Sequence, residues 1–269
     1  MGDTGLMRRV CDARAAYNEL GNTVVAEPRA RFVCSPATPW VHDANIASWV
    51  RADTDEEIDG VFARADDLYA GLTHRKVMID PDTPAAFEAR LVLEGYEPHP
   101  HLELVLDGDL HPAPSPADLR LVESDDDWRS LTALWQLDHE EEAAKGQHDP
   151  WAPGVAEQMV AAKRVKAPDL RFWLARVDGT DAAFFSSWPG HAGLGIVEDL
   201  FTRPEFRGRG IASALIAHSV ADARERGADP VAISARTTDT PKHMYAALGF
   251  RPSGISRSYL RTAARVPAD

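Results

Sequence analysis

Basic charge, cysteine and long apolar runs are all scarce in this 269-residue chain. Lysine and arginine total 29 against 42 aspartate and glutamate, a net charge of −13, which argues against a nucleic-acid partner because such proteins concentrate basic charge. The two cysteines, Cys11 and Cys34, are too few for a disulfide framework or a metal site. Because neither a transmembrane span nor the apolar core of a signal peptide is evident, we expect a cytoplasmic protein that binds no membrane.

The clearest break in the sequence is the segment DGDLHPAPSPADLR, residues 107–120. Its prolines fix φ and lack an N–H donor, so the segment can continue neither a helix nor a central strand. We interpret it as a linker between two domains, residues 1–112 and 118–269.

The second half alternates strands with helices, which predicts a mixed α/β fold. Ser124 is a candidate helix N-cap before an acidic first turn, and Asp178-Gly179 indicates a hairpin turn. Gly227 and Gly249 suit helix ends. The predicted strands are 118–124, 171–188 (two strands), 193–202, 229–236 and 253–260, and the predicted helices begin after Ser124 and span 211–227 and 240–250.

The first half repeats part of this rhythm, with helices at 55–72 and 83–96 and strands at 74–80 and 101–108. The stretches TPAAFEARLVLEGYEPHP and TPKHMYAALGFRPSG both start with Thr-Pro and run through apolar residues to a glycine and an aromatic residue, with a proline two residues later. We interpret this as an internal duplication, with chance similarity of one corner as the alternative. Nothing in residues 1–112 matches the RGRGIA of the second half.

The stretch EFRGRGIASAL, residues 205–215, leads from a strand into a helix through two glycines. Such a turn directs unpaired backbone N–H groups and the positive end of a helix at one spot, which is a phosphate-binding arrangement. Gly208 and Gly210 can adopt left-handed angles and admit phosphate oxygens. The pattern is neither a P-loop nor a dinucleotide fingerprint. Taken alone, it is explained equally well as a tight turn with solvated arginines.

With its flanks, VEDLFTRPEFRGRGIASALI resembles the acetyl-CoA site of the GCN5-related N-acetyltransferases (GNAT), whose pattern is [R/Q]-x-x-G-x-[G/A]. Downstream, MYAALGF at 244–250 resembles the tyrosine helix of that family. The resemblance covers about residues 118–262. It implies a tandem GNAT-like acyl-CoA N-acyltransferase fold, an α/β fold with a mixed sheet, in which residues 1–112 form a degenerate half without the phosphate loop.

Acetyl transfer from a thioester to an amine needs a neutral amine, a polarised carbonyl and a proton for the leaving thiolate. The resemblance implies that Tyr245 donates this proton and that Glu198 is a candidate general base. Core packing is the alternative for Tyr245, and a salt bridge is the alternative for Glu198. Because neighbours on a strand point to opposite faces, we expect only one of Glu198 and Asp199 to face the cleft.

The cosubstrate that the resemblance implies is acetyl-CoA, with no metal. Its expected contacts are Leu200, Phe201, Thr202, Arg207, Gly208, Arg209, Gly210, Ile211, Ala212, Asp239 and Tyr245. Asp239 lies where relatives often carry an asparagine, which leaves its role open.

The acceptor side is expected under residues 138–151, which would roof the cleft. We interpret Glu140, Glu141 and Glu142 as a solvated helix face, with attraction of an amine as the alternative. His139 and His148 have no third ligand at a metal-like spacing. The stretch PWVHDAN, 39–45, resembles a segment found in degenerate halves, and helix capping explains it equally well.

The sequence therefore predicts an enzyme that moves an acetyl group from acetyl-CoA to a primary amine of a small molecule by direct attack. It is expected to act as a monomer or homodimer. The alternatives are a non-catalytic acyl-CoA-binding sensor or assembly module, and an acyltransferase that acts on a protein amine.

Overall fold

The computed structural model describes residues 4–111, 114–146, 150–238 and 240–262. Its helices are α1 (Thr4–Glu19), α2 (Asp55–Leu68), α3 (Ala85–Leu93), α4 (Asp125–Ala144), α5 (Val155–Arg164), α6 (Ile211–Glu225) and α7 (Pro241–Leu248). Its strands are β1 (Thr23–Ala26), β2 (Arg31–Cys34), β3 (Ile46–Ser48), β4 (His74–Ile79), β5 (Glu97–Leu106), β6 (Asp118–Leu121), β7 (Arg171–Val177), β8 (Thr180–His191), β9 (Leu194–Thr202), β10 (Val231–Arg236) and β11 (Arg251–Thr262).

The strands form one mixed sheet in the order β1-β2-β3-β4-β11-β5-β10-β9-β8-β7-β6. The two halves of the chain place the same succession of elements in it, β1-β2-β3-α2-β4-α3-β5 and β7-β8-β9-α6-β10-α7-β11. In each succession the third and fourth strands pair in parallel, β3 with β4 and β9 with β10. The mixed α/β fold predicted from the sequence is confirmed.

The last strand of each half pairs with the other half. β5 lies before the predicted linker, yet it pairs with β10, from Leu106 opposite Val231 to His101 opposite Arg236. In return, the C-terminal strand β11 pairs with β4 and with β5. The division at residues 112 and 118 stays a prediction, and the sheet is continuous across it.

Helices cover both faces of the second half of the sheet. Because neighbours on a strand alternate between faces, Phe184 packs with Trp135 of α4, while Phe185 packs with Leu215 of α6. Burying each phenylalanine side chain stabilises the fold by about 2 kcal/mol. These two layers fix β9 and β10 between α4 on one side and α6 on the other.

Several predicted local signals are confirmed. Ser124 caps α4 and exchanges hydrogen bonds with Asp127 in a capping box. The turn of the β7–β8 hairpin is Asp178-Gly179, with φ of 49° and 79°. The prediction missed α1, α5 and the three strands before α2.

The strand predicted at 101–108 begins four residues earlier, at Glu97, and includes Pro98 and Pro100. Proline is tolerated where one edge of a strand has no partner. Over this stretch β5 pairs with β11, and its pairing with β10 starts only at His101. The prolines therefore lie on the part of β5 where one edge is free of the β10 ladder.

Candidate active site

A cavity of about 1010 Å³ opens where β9 and β10 diverge. The two strands pair only at Gly195–Val231 and Ile196–Ala232, and the cavity lies beyond these pairs. Ten of the predicted site residues line it: Glu198, Leu200, Phe201, Thr202, Arg207, Gly208, Gly210, Ile211, Ala212 and Tyr245. The roles assigned to them stay predictions.

The glycine turn forms one wall of the cavity. Gly208 and Gly210 both have a φ of 74°, in the left-handed region that favours glycine. Gly210 is the N-cap of α6, and neither a side-chain cap nor an acidic residue accompanies the first turn of this helix. The N–H groups of Ile211 and Ala212 therefore have no side-chain cap from Gly210 and can bind an anion in the cavity.

The equivalent helix of the first half, α2, begins differently. Thr54 caps it in a capping box with Glu57, and its first turn carries Asp55, Glu56 and Glu57. These side chains satisfy the N–H groups and place negative charge where an anion would bind. Of the two equivalent helices, only α6 therefore has an N-terminus without a side-chain cap or an acidic first turn.

Arg207 lines the cavity and is held by hydrogen bonds from its guanidinium to other protein groups. Its Nε donates to the Thr202 carbonyl oxygen at 2.8 Å, and its two terminal nitrogens donate to the Glu141 carboxylate at 2.8 and 2.6 Å. Bonds from Arg207 and Lys145 lower the pKa of Glu141 to about 2, although burial opposes them. Glu141 is therefore a permanent anion beside the glycine turn.

The interpretation of the acidic run as a solvated helix face is correct only for Glu140, which is exposed. Glu141 and Glu142 are half-buried and line the cavity with Asp138, because positions three and four apart share a helix face. Glu142 pairs with Arg236 at 3.3 Å. Burial and the neighbouring Glu142 and Glu141 raise the pKa of Asp138 to about 7.

The expectation that only one of Glu198 and Asp199 faces the cleft is wrong. The ladder between β8 and β9 shifts between Phe184 and Ser186, and Asp199 has a φ of 62°, so β9 carries a β-bulge that interrupts the alternation. Both carboxylates line the cavity. Both also bind the Nζ of Lys163, at 3.3 Å for Glu198 and 2.8 Å for Asp199.

Helix α1 brings two residues of the first half to these carboxylates. Arg14 donates from Nη1 to Glu198 and from Nη2 to Glu103 at 3.1 Å. The Tyr17 hydroxyl donates to Asp199 at 3.4 Å and accepts from Lys163 at 3.0 Å. The apolar spacing of Val10, Ala13 and Tyr17 along α1 was the sequence signal that could have revealed this helix.

The two carboxylates titrate differently. Burial favours the neutral form of Glu198, but Lys163 and Arg14 outweigh it and hold the pKa of Glu198 below its ordinary value. For Asp199, burial outweighs Lys163, and together with the charge of Glu198 it raises the pKa to about 6. Near neutral pH, Asp199 is therefore the carboxylate of this pair that exchanges a proton.

Tyr245 lies on α7, lines the cavity and is 5% exposed. Of the other predicted contacts, Arg209 is exposed, with its guanidinium over the Phe206 ring, and does not line the cavity. Asp239 and His148 lie outside the described residues. His139 stacks on Trp151, with ring centroids 3.5 Å apart.

The stretch 39–45 has a structural role in the first half. The Asn45 amide donates to the carbonyl oxygens of Thr38 and Val41, at 3.0 and 3.1 Å. Asp43 pairs with Lys76 at 2.5 Å. These contacts support capping and packing as the explanation of this stretch.

Two absences hold for the part of the chain that the structure describes. No helix there combines the length and the apolar character that crossing a membrane requires. No three side chains of His, Cys, Asp or Glu gather there in a way that would hold a metal ion.

Comparison with known proteins identifies the class. Residues 168–252 match the family described as acetyltransferase (GNAT) domain. A GCN5-related N-acetyltransferase from Kribbella flavida superposes with a TM-score of 0.66 at 16% identity, covering 97% of each chain. A tandem GNAT protein from the clavulanic acid biosynthesis pathway superposes with a TM-score of 0.56 at 16% identity, covering 99% of this chain and 94% of that one.

A protein of unknown function from Staphylococcus epidermidis superposes with a TM-score of 0.67 at 14% identity, covering 90% of this chain and 95% of that one. No curated protein sequence matches the chain. The protein therefore has the fold of these GNAT structures, and residues 168–252 of its second half match the GNAT acetyltransferase domain family.

Proposed function

We propose that the protein transfers an acetyl group from acetyl-CoA to a primary amine of a small molecule. The observation that carries this proposal is the uncapped N-terminus of α6, which faces the cavity with two left-handed glycines, Gly208 and Gly210. The pyrophosphate of coenzyme A is the anion that these N–H groups would hold. The pantetheine arm would run along residues 200–202, where β9 has parted from β10.

The reaction proceeds by direct attack. The Glu198–Asp199 pair removes a proton from the acceptor ammonium, and the neutral nitrogen attacks the thioester carbonyl carbon. Tyr245 gives a proton to the departing thiolate. A buried phenol suits this role because it is a weak acid that holds its proton until the thiolate forms.

We further propose that the first half is a degenerate GNAT-like unit. It has the same succession of strands and helices as the second half, including the parallel pair β3–β4. The capping box and the acidic first turn of α2 explain why it would bind no pyrophosphate. Its contribution to the site is structural, through α1 and β5.

The proposal is tested by titrating acetyl-CoA into the protein by calorimetry and then measuring thiol release with a panel of small amines. We expect saturable binding, and turnover with at least one amine class. Binding without turnover on any amine would favour the sensor or assembly module, and turnover on peptides alone would favour a protein acceptor. Absence of binding would overturn the proposal.

The Glu141–Arg207 pair gives a second expected result. Glu141 occupies the guanidinium beside the glycine turn and adds a negative charge there. Glu141→Gln should therefore tighten acetyl-CoA binding about three- to fivefold, the effect expected of one partly exposed ion pair. The matched control is Glu140→Gln, an exposed neighbour outside the cavity lining, which should leave affinity unchanged. Weaker binding by Glu141→Gln would show that Glu141 holds Arg207 in place for the coenzyme and does not compete with the coenzyme for Arg207.

A further inference from the structure

A largely buried charge cluster joins the two halves at the wall of the cavity. It comprises Arg14, Glu103, Lys163, Glu198 and Asp199. The Ser256 hydroxyl extends it by donating to Glu103 at 2.7 Å. Three carboxylates therefore face two cations, and the cluster has one negative charge in excess. Carboxylates crowded in this way cannot all stay ionised with equal ease, so one of them binds a proton at a higher pH than the others.

Arg14 binds two of the three carboxylates in the cluster. It lies between Glu103 and Glu198 and donates to both, and its side chain is only 12% exposed. A guanidinium keeps its charge at any physiological pH. Glu198 has a second cation on its other oxygen, Lys163. Glu198 is therefore held as an anion by two cations, one of which cannot lose its proton.

Asp199 binds fewer cations than Glu198. Among the described residues, Lys163 is the only cation that hydrogen-bonds to Asp199, and Asp199 shares it with Glu198. Its remaining partners are the hydroxyl groups of Tyr17 and Ser186, each at 3.4 Å. The positive φ of 62° is uncommon for an aspartate and is imposed by the bulge, which turns this carboxylate toward the cavity beside Glu198.

Charged and titratable groups surround Asp199 on the elements packed on this part of β9. They are Arg14 and Tyr17 of α1, Lys163 of α5, Lys166 just beyond α5, Glu103 and His101 of β5, Glu198 of β9, and Asp43, which acts on Lys163. Helix α4 adds Asp138, His139, Glu141 and Glu142, which line the same cavity. With burial, their balance leaves the pKa of Asp199 at about 6. The carboxylate is then ionised at neutral pH and takes up a proton as the pH falls through about 6.

We propose that Asp199 is the proton acceptor for the acceptor ammonium, and that Arg14, supplied by the other half of the chain, is a positioning residue that keeps Glu198 ionised beside it. This inference rests on the proposed function. One proton of the ammonium passes to Asp199. The nitrogen forms the C–N bond as the C–S bond breaks, and the departing thiolate takes a proton from Tyr245. The second proton that leaves the nitrogen restores the Tyr245 phenol, and Asp199 returns its proton to solvent, so one proton is released in each cycle.

The test is the pH dependence of kcat/KM for three variants. The wild-type rate should fall on the acidic side with an apparent pKa near 6. Asp199→Asn should abolish that limb and slow the reaction at neutral pH about 100-fold. Arg14→Gln should raise the apparent pKa of the limb by about 1, because an anionic cluster that loses a cation binds protons more tightly. Arg14→Lys should restore the wild-type limb.

The matched control is Arg8→Gln, an exposed arginine on the same helix, which should leave the profile unchanged. Calorimetry with acetyl-CoA checks that each variant retains the coenzyme site. A limb that survives in Asp199→Asn and vanishes in Glu198→Gln would overturn the proposal.

An infrared pH titration of the protein without substrate separates this inference from the proposed function. Asp138, whose pKa is about 7, contributes a carbonyl band of its own, so the signal is the difference between the wild type and Asp199→Asn. That difference should contain the carbonyl band of a protonated carboxylic acid, and the band should appear as the pH falls through about 6. In Glu198→Gln the band should still form, but only at a lower pH, because loss of the neighbouring anion lowers the pKa of Asp199. No turnover with any amine would count against the proposed function, whereas a band that follows Glu198 would count against the assignment of Asp199.

Discussion

Replacing Gly210 by glutamate should weaken acetyl-CoA binding by about 10²- to 10³-fold. The new carboxylate would stand at the N-terminus of α6, where the coenzyme pyrophosphate is expected, and like charges about 4 Å apart at a protein surface repel by about 4 kcal/mol. The change also places a side chain on a residue with φ of 74°. Calorimetry with the folded variant measures the effect.

Two further variants make this result interpretable. Ala212→Glu introduces the same charge on ordinary helical backbone of α6, at a residue that also lines the cavity. Gly71→Glu is the matched control, because Gly71 is exposed and nothing lies within 4 Å of the position of a Cβ there. Retained affinity in both folded cavity variants would show that the glycine turn does not hold the coenzyme.

Replacing Tyr245 by phenylalanine should slow turnover by about 100-fold and leave acetyl-CoA affinity nearly unchanged. Loss of a positioned acid typically costs this factor, whereas the ring still fills its place between α7 and β10. Steady-state rates across pH and calorimetry measure the two effects separately.

The control is Tyr69→Phe in the first half. That change removes a hydrogen bond of 2.9 Å to the Val33 carbonyl, which should lower the free energy of unfolding by about 1 kcal/mol without altering the rate. If Tyr245→Phe turns over like the wild type at every pH, another group protonates the thiolate.

The local parts of the fold and site were predictable because their signals lie within a few residues. Ser124 with its acidic turn, the Asp178-Gly179 hairpin and the glycine turn before α6 each carry their own physical cause. No short stretch of sequence predicts that β5 pairs with β10 and that β11 pairs with β4. The apolar pattern of β5 marks it as a strand and does not say whether β4 or β10 will be its neighbour.

The charge cluster was missed for a related reason. Arg14 and Glu198 are 184 residues apart in sequence, and no periodicity links them. The bulge at Asp199 adds one residue to β9, which overturns any assignment of faces from alternation alone. What sequence reasoning lacked was the packing of α1 on the carboxylates, which only the assembled sheet shows.

The pairing of β5 with β10 and of β11 with β4 is the exchange of a strand seen in domain-swapped dimers, here between two halves of one polypeptide. Each half therefore receives a strand of its sheet from the other half. Damage to the core of the first half is therefore expected to disturb the cavity in the second half. Selection on the cavity would then also preserve the packing of the first half.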